Sequence, residues 1–187
     1  MAHALAAQNG PPSPRLAVEK CKGYPVPRMR LALYQPDIPQ NAGTILRLAA
    51  CLGVGVDVIG PTAFNMTDRA LRRAALDYLS HVQIARHATF AAFEAARRTR
   101  GSRLVLLTTH AEVAYTAFGF ERDDTLLLGR ESAGVPPAVH RAADARLRIV
   151  MQPGLRSLNV AVAAAMVLGE ALRQLGTALP SPVGEAP

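Results

Sequence analysis

Three short apolar runs in the second half of the chain each break into a polar, loop-forming segment, and this recurrence constrains the fold more than any other feature. Leu104-Val105-Leu106-Leu107 runs into Thr108-Thr109. Thr125-Leu126-Leu127-Leu128 runs into Gly129-Arg130-Glu131-Ser132-Ala133-Gly134-Val135-Pro136. Leu147-Arg148-Ile149-Val150 runs into Pro153-Gly154-Leu155-Arg156-Ser157-Leu158-Asn159 and then into a long Ala-rich helix. Parallel strands that end side by side in Gly- and Ser-bearing loops build a crevice at the carboxyl edge of a sheet. The chemistry of the chain is expected in that crevice.

Strands and helices alternate through the rest of the sequence, which predicts an α/β domain with a mostly parallel sheet flanked by helices. Arg30–Tyr34 reads as a strand and Ile38-Pro39-Gln40-Asn41 as a turn. Ala42–Leu52 reads as a helix ended by Gly53, and Val54–Ile59 as a strand stopped by Gly60-Pro61. Asp68 is placed to cap a helix through Ala75. A strand at Val82–Ala85, a helix at Phe90–Arg98 and strands at 104–107, 125–128 and 146–150 follow. Ser157 then caps a helix running to about Leu175, where Gly176 ends it. Residues 1–28 are Pro-rich and read as a disordered leader, 29–176 as the folded domain and 177–187 as a flexible tail. The leader lacks the pattern of a signal peptide. The longest apolar run, 158–169, falls short of the roughly 20 residues needed to cross a bilayer, so no membrane partner is expected. The cysteine usage, Cys21 and Cys51 without metal or redox spacing, reads as cytoplasmic.

With 187 residues, 50% of them hydrophobic, the chain can bury one sizeable core. A net charge of +7 favours a polyanionic partner such as nucleic acid. Every cation except Lys20 and Lys22 is arginine, which suits bidentate contact with phosphate. Cys21 and Cys51 have no metal or redox spacing, and Cys51 is expected to be buried in its apolar helix. Gly53-Val54-Gly55 precedes a strand rather than a helix, so the dinucleotide fingerprint is absent. Gly129 and Gly134 have Walker-A spacing, but Val135-Pro136 stands where Lys-Ser/Thr is required, which excludes a P-loop ATPase. His81, His87, His110 and His140 show no metal-ligand spacing and read as surface or loop residues. No metal is expected.

A polar set remains: Asn41, Arg47, Glu131, Ser157 and Asn159. Arg47 sits among Ile45, Leu46, Leu48, Ala49 and Ala50, and a buried unpaired charge is costly. Either its head reaches solvent at the helix edge or Glu131 is its partner. Asn159 falls in the first turn of the last helix, where free N–H groups face the crevice. A basic set, Arg69, Arg72 and Arg73, precedes Asp77-Tyr78. Helical spacing puts Arg69 on one face with Arg72 or Arg73. That face is either simply solvated or an RNA-docking surface, with an exposed Tyr78 free to stack on a base.

In series, the segments Leu33-Tyr34-Gln35-Pro36-Asp37-Ile38-Pro39-Gln40-Asn41-Ala42-Gly43 with Arg47, Arg69-Ala70-Leu71-Arg72-Arg73-Ala74-Ala75-Leu76-Asp77-Tyr78, Leu107-Thr108-Thr109, Gly129 to Pro136, and Arg156-Ser157-Leu158-Asn159 resemble the SPOUT superfamily of knotted methyltransferases. The likeness spans about residues 29–176 and is nearest to the branch that methylates the 2′-hydroxyl of cytidine or uridine 34 in tRNA. The resemblance implies a deep C-terminal trefoil knot made by the 129–136 and 149–157 loops and the last helix. It implies S-adenosylmethionine held there largely by backbone groups at Leu107, Gly129, Ile149 and Ser157, with Leu158 nearby. Arg47 takes the position of the family's proposed base. Glu131 would orient it, and Asn41, Ser157 and Asn159 would complete the network. A homodimer joined through the first and last helices, and tRNA as substrate, follow from the same likeness. A ribosomal RNA substrate and a non-catalytic RNA binder are the rival readings. The chain departs from the family pattern at Arg130, where many members have proline, and in residues 1–28.

Overall fold

The computed structural model describes residues 28–65 and 69–176. The leader, the tail and the expected cap at Asp68 lie outside the described residues. The chain runs β1 (Arg30–Tyr34), α1 (Pro39–Leu52), β2 (Gly55–Ile59) and α2 (Arg69–Ala75), then a 3-10 segment (Leu76–His81). It continues through β3 (Ile84–His87), α3 (Phe90–Thr99), β4 (Leu104–Leu107), β5 (Val113–Ala114), β6 (Thr125–Leu128), α4 (Pro137–Ala142), β7 (Ala145–Arg148) and α5 (Val160–Gln174). Seven strands pair in parallel in the order β3-β2-β1-β6-β4-β7-β5. The strands whose loops opened the sequence reading, β6, β4 and β7, are therefore neighbours.

Central strands of a parallel sheet are covered on both faces and so read as continuous apolar runs. Leu104, Val105, Leu106, Leu126 and Leu127 are each fully buried. Successive side chains point to opposite faces. Leu31, Leu33, Val105, Leu126 and Leu128 meet Ile45, Leu46 and Ala49 of α1 and Ala164, Val167, Leu168 and Ala171 of α5. Ala32, Leu104, Leu106 and Leu127 instead meet Phe93 of α3 and Val139 of α4. The result is a three-layer sandwich with α1 and α5 on one face and α3 and α4 on the other.

Helix α1 begins at Pro39, earlier than the expected Ala42. Proline at the first helical position has no N–H to leave unsatisfied and its φ is already helical. Gly43 lets α2 approach closely: a Cβ there would lie 2.5 Å from the Leu71 carbonyl oxygen and 2.8 Å from Ala74 Cβ. Gly43→Val is therefore expected to destabilise the fold by about 1–3 kcal/mol through overpacking, measured by denaturant unfolding. An unchanged midpoint would contradict the close approach.

Several expectations are corrected. Cys51 is exposed, because it falls on the outward stripe of α1 with Gln40, Thr44 and Arg47. His87 is not a surface residue; it lies in β3 with its side chain 10% exposed, and its Nε2 is 2.7 Å from Asp57 Oδ1. Asp57, fully buried in β2, also accepts from Arg30 Nε at 2.5 Å and Arg100 Nη2 at 3.3 Å, which offsets its desolvation. The strand expected at Val82–Ala85 forms at Ile84–His87, after the 3-10 segment. The strand expected over 146–150 spans Ala145–Arg148. The short elements β5 and α4 went unread.

Candidate active site

The loops after β4, β6 and β7 enclose a cleft of about 590 Å³ at the carboxyl edge of the sheet. This is the size range and the place in the topology where open α/β sheets hold ligands. Leu107, Thr108 and Thr109 form one wall, Gly129, Arg130, Glu131 and Gly134 a second, and Ile149, Ser157, Leu158 and Asn159 a third. Ile38 and Asn41 reach in from the start of α1. All the residues expected to bind cofactor, and four of the five expected to be catalytic, therefore meet in one cleft.

The β6 loop is shaped by two glycines. Arg130 N donates to Gly134 O at 3.0 Å and Gly134 N to Arg130 O at 2.7 Å, closing a tight ring. Gly134 turns it at a φ of 65°, a left-handed conformation that favours glycine. A Cβ on Gly129 would lie 2.9 Å from Gly134 C, so the backbone can approach itself only because that atom is missing.

A chain of hydrogen bonds crosses the cleft. Asn41 Nδ2 donates to Glu131 Oε1 at 3.3 Å, and Asn159 Nδ2 donates to Asn41 Oδ1 at 2.9 Å. Asn159 Oδ1 accepts from Ala161 N at 2.9 Å and Val162 N at 3.4 Å. Asn159 is thus the N-cap of α5, and the cap expected at Ser157 is corrected. An asparagine oxygen satisfies the free first-turn N–H groups there. Ser157 lines the cleft two residues ahead of that cap.

Arg47 does not pair with Glu131. It is exposed on α1, and its guanidinium carbon sits 5.3 Å from the Tyr78 ring centroid. No carboxylate among the described residues forms an ion pair with it, so its charge faces solvent over a cation–π partner. Of the two arrangements considered for Arg47, the solvent-reaching one holds. Tyr78 is half-buried rather than exposed, with His81 edge-on at 6.5 Å. Arg69, Arg72 and Arg73 are exposed along α2.

Two features went unnoticed in the sequence. Asp37 faces the β6 loop and accepts from Glu131 N at 3.2 Å and Ser132 N at 3.3 Å, while its own N–H donates to Glu131 Oε2 at 3.3 Å. Burial works to raise the Asp37 carboxyl, but hydrogen bonds with Glu131 and Ser132 outweigh it and bring it down to about 2. Burial and the adjacent Asp37 carboxyl push Glu131 up. Arg130, the departure from the family pattern, donates to Gln35 Oε1, and Gln35 holds an uncommon φ of 45°. A lone acidic residue in the turn between β1 and α1 was the available signal for Asp37. Nothing in the sequence points to the Gln35 backbone.

A parallel sheet with a strand-end cleft walled by backbone and apolar side chains, and bridged by amide and carboxyl groups, defines an α/β ligand-binding domain without phosphate-loop machinery. The chain belongs to the SpoU rRNA methylase family, whose sequence model matches residues 28–169. It is 63% identical over 146 residues to a tRNA (cytidine(34)-2′-O)-methyltransferase of Beijerinckia indica, covering 78% of this chain and 91% of the relative. It is 39% identical over 150 residues to the Escherichia coli K12 protein of the same name, covering 79% and 94%. Among solved structures, one described as giving insights into 2-OH methylation of C/U34 on tRNA superposes with a TM-score of 0.76 at 42% identity, covering 80% of this chain and 98% of that one. The SpoU methyltransferase AviRb of Streptomyces viridochromogenes, in complex with AdoMet, superposes at 0.74 with 29% identity, over 83% and 64%. The likeness read from the five sequence segments is borne out.

Proposed function

We infer that this chain is a cytoplasmic S-adenosylmethionine-dependent methyltransferase acting on the ribose 2′-hydroxyl of the wobble nucleotide, C34 or U34, of tRNA. The observation that carries it is the convergence of Asn41, Glu131, Ser157 and Asn159 on one strand-end cleft, next to a helix that presents an Arg47 with no ion-pair partner among the described residues. The relative at 63% identity supports the same reaction and substrate.

The cleft suits the cofactor. The Gly129 ring presents backbone at a place a Cβ would fill, and Leu107, Ile149 and Leu158 supply apolar surface beside it. These residues, with Ser157, would hold S-adenosylmethionine. When bound, it supplies a methyl group already activated by a sulfonium charge. The residues of the chain must then align the hydroxyl and lower the cost of ionising it. Arg47 would donate to the 2′-oxygen and stabilise alkoxide character. A guanidinium with a pKa above about 12 is a poor base, so the proton passes to water or an RNA phosphate. Asn41, Glu131, Ser157 and Asn159 would fix the cleft side of this arrangement. The described residues offer no group of ligands that could hold a metal.

The fold would close as a trefoil knot. Its support is that β7, the last strand, lies inside the sheet between β4 and β5 while α5 returns to pack with α1. We also assign a homodimer through α1 and α5. Val162 and Met166 on α5 are 48% and 38% exposed, and Leu158 before it is 40% exposed, an apolar surface that a second copy would cover. Such a dimer would give each cleft access to groups of both subunits.

The Arg69, Arg72 and Arg73 face of α2 would dock RNA phosphates. Neutralising Arg69 and Arg73 together is expected to weaken tRNA binding and flatten the salt dependence by about 1.5 in log–log slope. An unchanged slope would return them to a solvated face. Ribosomal RNA is the rival substrate, since the family description carries that name. Mapping 2′-O-methylation across total RNA from a strain lacking the gene tests the reading. Loss at tRNA position 34 supports it, and loss only in ribosomal RNA overturns it.

A further inference from the structure

We propose that Asp37 is a positioning residue for the methyl transfer: its carboxylate pins the backbone of residues 131 and 132 and thereby aims Glu131 at Asn41. The proposal rests on the functional reading above and adds a residue to it. Turn and loop grip each other reciprocally. Asp37 N donates to Glu131 Oε2 at 3.3 Å, and Glu131 N donates to Asp37 Oδ1 at 3.2 Å. Ser132 N donates to Asp37 Oδ2 at 3.3 Å, and the Ser132 hydroxyl donates to the same oxygen. From Glu131 the chain of contacts continues through Asn41 to Asn159 and the first turn of α5. One carboxylate thus ties the β1–α1 turn to a loop 94 residues away, and through it to the helix that closes the cleft.

An unrestrained glutamate samples several rotamers, and fixing it costs conformational entropy at each turnover. Here the restraint is supplied by the fold's own turn–loop contacts, and a fixed geometry is what aligned transfer requires. Hydrogen bonds to an ionised acceptor are about twice as strong as neutral ones, which explains a carboxylate at this position rather than an amide. The Asp37 charge also bears on Glu131, which burial and Asp37 together push up. Among the described residues, Arg130, drawn to Gln35, and His110 and His140 are the other titratable or charged groups lining this cleft. Removing only the Asp37 charge leaves these three in place and lowers the pH at which Glu131 ionises.

The test uses the full chain with Asp37→Asn and Asp37→Ala. Without RNA, amide hydrogen exchange at Glu131 and Ser132 is expected to quicken about 10-fold in Asp37→Ala, the scale of one lost charge-assisted hydrogen bond, while β6 amides keep their protection. With tRNA, kcat is expected to fall about 10-fold in Asp37→Asn at a KM for S-adenosylmethionine changed by no more than about twofold. The acid limb of its pH–kcat profile should move to lower pH, which a merely structural defect would not produce. Unchanged exchange at both amides overturns the proposal, as does a reduced kcat with an unmoved limb. A wild-type chain that methylates no tRNA would refute the functional reading, whereas the exchange measurement still decides whether Asp37 pins the loop.

Discussion

Arg47→Ala is expected to lower methyl transfer by about 10²- to 10³-fold, the loss seen when one preorganised donor to a developing oxyanion is removed. Affinity for S-adenosylmethionine should change by no more than about twofold on the same account, because Arg47 stands on the outward stripe of α1 and does not line the cleft. Its guanidinium rests over the Tyr78 ring, and no carboxylate among the described residues pairs with it and consumes its donors. Arg47→Lys keeps the charge but loses the planar fork and its stacking, and is expected to restore little of the rate. Single-turnover transfer and calorimetric cofactor binding separate the two effects. Turnover retained in Arg47→Ala would remove this residue from the mechanism.

Gly129→Val should produce the opposite pattern, a loss of cofactor affinity. The new Cβ would meet Gly134 C at 2.9 Å and Gly134 Cα at 3.0 Å, both backbone atoms of a ring closed by two hydrogen bonds. Backbone cannot swing aside as a flexible side chain can, so the ring must open or shift into the cleft. Overpacking of this kind costs about 1–3 kcal/mol, which corresponds to roughly a 5- to 150-fold rise in Kd for S-adenosylmethionine. Calorimetry on the folded variant measures it. An unchanged Kd would mean that this loop does not contact the cofactor.

The cleft was legible because its parts announce themselves as apolar runs ending in glycine and serine loops, and those strands do lie side by side as β6, β4 and β7. Glu131 and Ser157 stood out as polar residues on those loops, whereas Leu107, Gly129 and Ile149 were pointed to only by the resemblance to the SPOUT superfamily. Partners across the fold were not. Glu131 meets Asn41 and Asp37 rather than Arg47, a choice set by how the β1–α1 turn sits against the β6 loop, which no periodicity encodes. The outward stripe of α1 was readable in principle: Arg47 marks its solvent face, and Cys51 one turn later shares it. Tyr78 looked free because a 3-10 segment at residues 76–81 leaves no helical or strand pattern to follow. The β5 strand, two residues long at the sheet edge, carries too little sequence to signal itself.

The account is tested most directly by transfer of radiolabelled methyl from S-adenosylmethionine to tRNA by the purified full-length chain, with digestion to identify the labelled nucleotide. The predicted result is label in a 2′-O-methylated cytidine or uridine at position 34. Label on a base, at another position, or only in ribosomal RNA would contradict it.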